Sequence, residues 1–143
     1  MYSILKHSHS GIRWIVLILL VWAIYDAFTK WKGNTAFNNT SRRPSFLAFN
    51  FTHIQALIGL IVYFYTPRIS FSAGLMKDRV MRFFAVEHPM MMLIAIILIT
   101  IGYIKGKKLN SFKTIFWYYL IALILILAGI PWPFMKSLAS GWF

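Results

Sequence analysis

Four long apolar runs, broken by short polar and basic stretches, set the pattern of this chain. Each approaches the roughly 20 residues that cross a bilayer as a helix, which predicts helices over about 4–28, 46–66, 79–104 and 112–130. None alternates polar and apolar positions with the period of two that a membrane β-strand requires. Pro67 stops the second run and Pro131-Trp132-Pro133 the fourth, because proline cannot continue the helical hydrogen-bond ladder. The connections Lys30–Ser45, Pro67–Asp78 and Lys105–Ser111 are short enough to force sequential helices to run antiparallel. The expected fold is therefore an all-α membrane protein, an antiparallel up-down bundle of four transmembrane helices forming a single domain over residues 1–143. Lys6 followed by an apolar stretch imitates a signal peptide, but that stretch runs on too far and no small-residue cleavage site follows, so a retained first helix is expected.

Composition agrees with the pattern. Of 143 residues, 59% are hydrophobic and 13% charged, against roughly 25% charged in soluble domains. The absence of cysteine excludes disulfides, thiolate metal sites and cysteine nucleophiles. A net charge of +12 would suit nucleic acid, but the basic residues sit between apolar runs, where they meet lipid headgroups of the bilayer. No nucleic-acid partner is expected. Both termini and the Pro67–Asp78 connection fall at one end of the bundle, with Lys6, Arg13, Arg68, Lys77, Arg79, Arg82 and Lys136. The opposite end carries Lys30, Lys32, Arg42, Arg43, Lys105, Lys107, Lys108 and Lys113. That slight excess places the opposite end in the cytoplasm and the termini on the periplasmic side of a bacterial inner membrane. Trp14, Trp22, Trp31, Trp117, Trp132 and Trp142, with Tyr63, Tyr65, Tyr103, Tyr118 and Tyr119, fall mostly near helix ends and read as an aromatic belt.

The candidate chemistry lies in ionisable groups that hydrocarbon would disfavour, above all Arg82-Phe83-Phe84-Ala85-Val86-Glu87-His88-Pro89 at the head of the third run. At about 1.5 Å of rise per residue, His9 lies roughly 9 Å and His88 roughly 6 Å from the midpoints of their helices, both toward the terminal end. His53 lies roughly 10 Å from their plane. The first and third helices run parallel across the bundle diagonal, so His9 and His88 form the natural pair. A haem b held edge-on between them would take one imidazole on each face of its iron. His7 and His9 point about 200° apart on one helix, so only one can face inward. His9, which shares a face with Arg13, Val16, Leu20 and Ala23, is the expected metal ligand, with His7 nearer the headgroups. Arg13 and Arg82 are placed to pair with the haem propionates. Glu87 is open to three roles: orienting an imidazole, pairing with an arginine, or transferring protons. Pro89 should kink the third helix and free the carbonyl of Ala85. His53, beside Gln55, is open to an interhelical hydrogen bond, a quinone contact or a haem contact. Met90, Met91 and Met92 read as packing; a rival copper(I) site of His9, His88 and methionine sulfur lacks any repeated Met-x-x-Met pattern.

Four segments carry a family resemblance: His9-Ser10-Gly11-Ile12-Arg13-Trp14, Thr52-His53-Ile54-Gln55-x-Leu57-Ile58-Gly59, Arg82-Phe83-Phe84-x-x-Glu87-His88-x-Met90-Met91-Met92 and Ile130-Pro131-Trp132-Pro133-Phe134. Together they resemble small bacterial four-helix membrane proteins labelled cytochrome b or cytochrome b-like, across essentially the whole chain. The resemblance implies haem b and electron transport, without naming donor or acceptor. The chain is similar in architecture alone to half of a haem A synthase. It matches the small haem-binding protoporphyrinogen oxidase in length but lacks its Pro-Arg-Leu-Phe-type segment, of which Pro67-Arg68-Ile69-Ser70 is a superficial echo.

The expected function is membrane electron transfer by a bis-histidine haem b, exchanging electrons with quinone or other membrane redox subunits of a respiratory chain. An electron carrier or redox subunit fits better than a stand-alone enzyme. The alternatives are an enzyme of haem or porphyrin metabolism and a cofactor-free accessory subunit whose polar residues tie helices together.

Overall fold

The structure, a computed structural model, describes residues 2–65 and 77–130. It is an all-α bundle of four helical spans, with no strand among the described residues. The first span is α1 (Tyr2–Lys32) and the second α2 (Arg43–Tyr65). The third is composite: α3 (Arg79–Arg82), a π-helical turn (Phe83–Glu87) and α4 (His88–Leu109). The fourth is α5 (Phe112–Gly129). Each span is long and apolar enough to cross a membrane, the mark of a multi-pass membrane protein. The predicted stop at Pro131-Trp132-Pro133, with Arg68, Lys136 and most of the Pro67–Asp78 connection, lies outside the described residues.

Two helices outrun their predicted ends. α1 continues to Lys32 and α4 to Leu109, where the apolar pattern ends near Phe28 and Ile104. Basic residues form helix as readily as apolar ones, so hydropathy marks where the membrane pattern stops and not where the helix does. The stops are asparagines. Asn34 (φ 51°) and Asn110 (φ 50°) adopt the left-handed conformation, and the next residues fold back, Thr35 N–H onto Lys30 O at 3.0 Å and Ser111 N–H onto Gly106 O at 2.9 Å. Such reversals satisfy carbonyls that the last turn leaves unpaired. After the second reversal Ser111 caps α5, its hydroxyl accepting from Thr114 N–H at 3.2 Å.

Around the bundle α1 packs on α2, α2 lightly on α4, α4 on α5, and α5 back on α1, leaving α1 and α4 on a diagonal. The core runs through Leu20, Ala23 and Ala27 of α1, Ala48 of α2, Ala95 and Ile99 of α4, and Ile115, Tyr119 and Ala122 of α5. The fully buried hydroxyl of Tyr119 donates to Ser45 O at 2.9 Å, as a buried phenol must. Small residues let the helices approach. Gly102 and Gly106, four apart on α4, sit directly against Tyr118 and Ile115 of α5. Leu57, Leu60 and Phe64 of α2 and Ile97, Ile101 and Ile104 of α4 are exposed on the outside, as lipid-facing residues would be.

Candidate functional site

The third span departs from regular helix where its chemistry begins. Proline at position 89 has no N–H to give Ala85 O, and its ring crowds that carbonyl. The chain answers with the π-helical turn Phe83–Glu87, in which His88 N–H reaches back five residues to Phe83 O. Ala85 O, the carbonyl freed by Pro89, instead accepts a hydrogen bond from the Tyr63 hydroxyl of α2 at 3.0 Å. Tyr63→Phe should therefore destabilise the fold by about 1 kcal/mol, the usual net worth of one hydrogen bond. Thermal unfolding in detergent would measure this; an unchanged midpoint would mean that the tyrosine contributes nothing to holding the turn.

Beyond the turn, His88 points toward the diagonal. Its Nδ1 lies 2.6 Å from Gly129 O, and because a carbonyl only accepts, Nδ1 carries the proton. In the neutral ring Nε2 is then left with the lone pair. Gly129 can offer its oxygen because it ends α5, where carbonyls have no partner along the helix. Its lack of a side chain matters too: a Cβ there would meet Met92 Cε at 2.7 Å and Met91 Sδ at 3.1 Å. These two methionines therefore pack against the end of α5, and Met90 is exposed.

His9 comes from α1 to meet His88. Their ring centres are 6.4 Å apart and their planes nearly perpendicular, at 85°. His9 turns inward and His7 outward to the surface. The ring of His9 is held by the backbone of α2: a Cβ on Gly59 would fall 2.8 Å from His9 Cε1. Gln55 tightens the same contact, its amide donating to His9 O at 2.8 Å. His9 Nδ1 and Gln55 Oε1 are both buried without a hydrogen-bond partner, a combination native interiors rarely leave without a use.

The remaining candidates fall into two groups. Arg13 is buried one turn along α1 from His9, its guanidinium 5.3 Å from the centre of the Trp14 ring. Arg82 is tied to Glu87, Nε to Oε1 at 2.9 Å, with both side chains partly exposed. Of the roles open to Glu87, pairing with arginine is the one the structure contains. His53 stands apart, packed at a tilt against Phe49 with ring centres 4.3 Å apart. Its Nδ1 donates to Phe49 O at 2.7 Å and its Nε2 meets Thr100 Oγ1 of α4 at 3.0 Å. Both nitrogens are engaged, and the side chain joins α2 and α4, the most lightly packed of the adjacent helix pairs.

Sequence reasoning missed Gly59, Tyr63, Thr100 and the Gly129 carbonyl. Gly59 alone left a trace, standing six residues after His53 as the one glycine of its helix. Among the described residues no three His, Cys, Asp or Glu side chains converge on one point, so the site offers two facing imidazoles and no larger ligand set. Comparison with family models, with curated proteins and with solved structures returns no match for this chain.

Proposed function

We propose that the chain is a haem b-binding electron-transfer protein of the bacterial cytoplasmic membrane, with His9 and His88 as the two axial ligands. The observation that carries this reading is the meeting of two imidazoles from diagonal helices, 6.4 Å between ring centres. Nitrogens bound to one metal at about 2 Å from opposite sides put ring centres roughly 6 Å apart. Bound there, haem b would supply a one-electron iron couple. Iron held by both imidazoles would favour electron transfer over oxygen chemistry.

The protein's own part is orientation and charge. Gly129 O holds the His88 proton on Nδ1 and so presents Nε2 to the diagonal, a carbonyl contact of the kind that fixes ligand tautomers and raises their basicity. Gly59 and Gln55 hold His9 against α2. Arg13 supplies a buried positive charge for a propionate. Arg82 would serve a second propionate by exchanging its bond with Glu87. His53 acts as a tie between helices, and quinone or a neighbouring redox subunit is the electron partner. The end rich in lysine and arginine faces the cytoplasm.

A second reading, the cofactor-free accessory subunit, draws support from the His53–Thr100 bond, which is polar and purely interhelical. One measurement separates the two. Protein purified from haem-replete cells should be coloured and, on dithionite reduction, show the sharp paired α and β bands of low-spin haem. Colourless protein would leave only the accessory subunit. Broad high-spin bands would favour an enzyme of haem or porphyrin metabolism.

A further inference from the structure

We propose that the groove between α1 and α5 holds one acyl chain of an anionic phospholipid, whose phosphate is bound by Lys32 and Lys113. The groove has a volume of about 360 Å³ and is lined by Val21, Ile24, Tyr25, Phe28, Phe116 and Leu123. All six side chains are aliphatic or aromatic, so its interior suits hydrocarbon. It sits far from His9 and His88, near the opposite end of α1.

An aromatic cluster closes that end. Phe28, Trp31 and Phe116 pack on one another with ring centres 5.4 to 6.0 Å apart. Phe28 and Phe116 thus belong both to the groove and to its cap. Above the cap stand two ammonium groups: Lys32 Nζ lies 4.2 Å from the centre of the Trp31 ring and Lys113 Nζ 5.6 Å from it. Both ammonium groups thus stand over the same indole, where the flexible stems of the two lysines can bring them onto one lipid headgroup.

Charge identifies the occupant. The chain has 15 lysines and arginines against three acids. Asp26, the acid nearest this end, is already bound to Lys30 at 2.9 Å. Glu87 pairs with Arg82 in the third span, toward the other end of the bundle, and Asp78 precedes that span. The counter-charge for Lys32 and Lys113 must come from outside the chain. An apolar groove that opens beneath paired cations at an aromatic belt matches a lipid with an acyl tail below and a net negative headgroup above. A neutral isoprenoid would fill the groove and leave the lysines unmatched.

Native mass spectrometry of the full chain tests this, with phosphatidylglycerol and phosphatidylcholine of identical acyl chains as probes. Phosphatidylglycerol should be retained in preference. Each lysine near a charged headgroup is worth roughly fivefold, so Lys32→Gln with Lys113→Gln should weaken phosphatidylglycerol binding about twenty-five-fold, to the level of phosphatidylcholine. Lys107→Gln with Lys108→Gln removes the same charge from the same end and should change binding less than threefold, by the same reckoning of local charge. Leu123→Trp, which fills the groove, should weaken retention of both lipids. Equal binding of the two lipids, equal loss from the two lysine pairs, or full retention in Leu123→Trp would each overturn the proposal. So would an isoprenoid quinone recovered from the groove in place of phospholipid.

Discussion

Alanine at His9 or at His88 is expected to abolish the low-spin haem spectrum, while His7→Ala leaves it intact. Each of the two inward rings would hold the iron from one side of the bundle, so the loss of either would remove the low-spin signature. The two variants should differ in degree. His88→Ala also removes the hydrogen bond to Gly129 O, which ties the start of α4 to the end of α5, so it should lose haem outright. His9→Ala leaves a space bounded by Gly59, into which added imidazole can diffuse, and low-spin bands should return in part with millimolar-range imidazole, the affinity of a small unlinked ligand. His7 is exposed on α1 and should be indifferent. The reduced absorption spectrum and the haem-to-protein ratio decide the matter, with circular dichroism to show that the helices persist. Loss from His7→Ala equal to that from His9→Ala would defeat the ligand assignment, and so would an unchanged spectrum in His88→Ala.

The second large effect concerns packing, and it has an internal control of opposite sign. A Cβ on Gly102 would collide with Cβ of Tyr118, an atom fixed to the backbone of α5 and unable to swing aside. Gly102→Ala should therefore push α4 from α5 and destabilise the bundle by about 1–3 kcal/mol, the usual cost of overpacking. Gly106, against Ile115, should behave alike. Gly11 is also a helical glycine, yet a Cβ there would meet nothing within 4 Å. Gly11→Ala should stabilise by about 0.5–1 kcal/mol, the gain from replacing glycine inside a helix where no neighbour objects. Thermal unfolding in detergent reads both. The packing account fails if Gly102→Ala unfolds at or above the wild-type temperature.

The four spans were legible because hydrocarbon demands long apolar helices and little else matches that demand. The matched depth of His9 and His88 was legible for a related reason: rise per residue is fixed, so register alone brings the two rings level. Helix ends were less so. Lys30–Lys32 and Lys105–Leu109 are rich in lysine and helical at once, and the signal that ends them is a single asparagine after each. The partners of the site were hidden more deeply. Gly129 contributes a carbonyl, an atom every residue possesses, and no choice of side chain advertises it. Tyr63 reads as one more belt aromatic until the carbonyl it caps is known to be free.

Arg82 and Glu87 show how far one local event reaches. Five residues apart, they would stand well round the helix from each other in regular α geometry, where neighbours are three or four apart. The i to i+5 bonding of a π turn sets one above the other, and their 2.9 Å contact follows. That turn also takes up one residue more than an α-helical turn would, so the chain ahead of it is shifted in phase by about 100° relative to the chain behind. The third span is thus two helices spliced out of phase. The stripe that faces the bundle through Ala95, Ile99 and Gly102 cannot be extrapolated back to Arg82 by counting in threes and fours. A one-residue deletion between Phe83 and Glu87 would bring the two halves into phase, turning the terminal half to a different neighbour while leaving His88 where it stands.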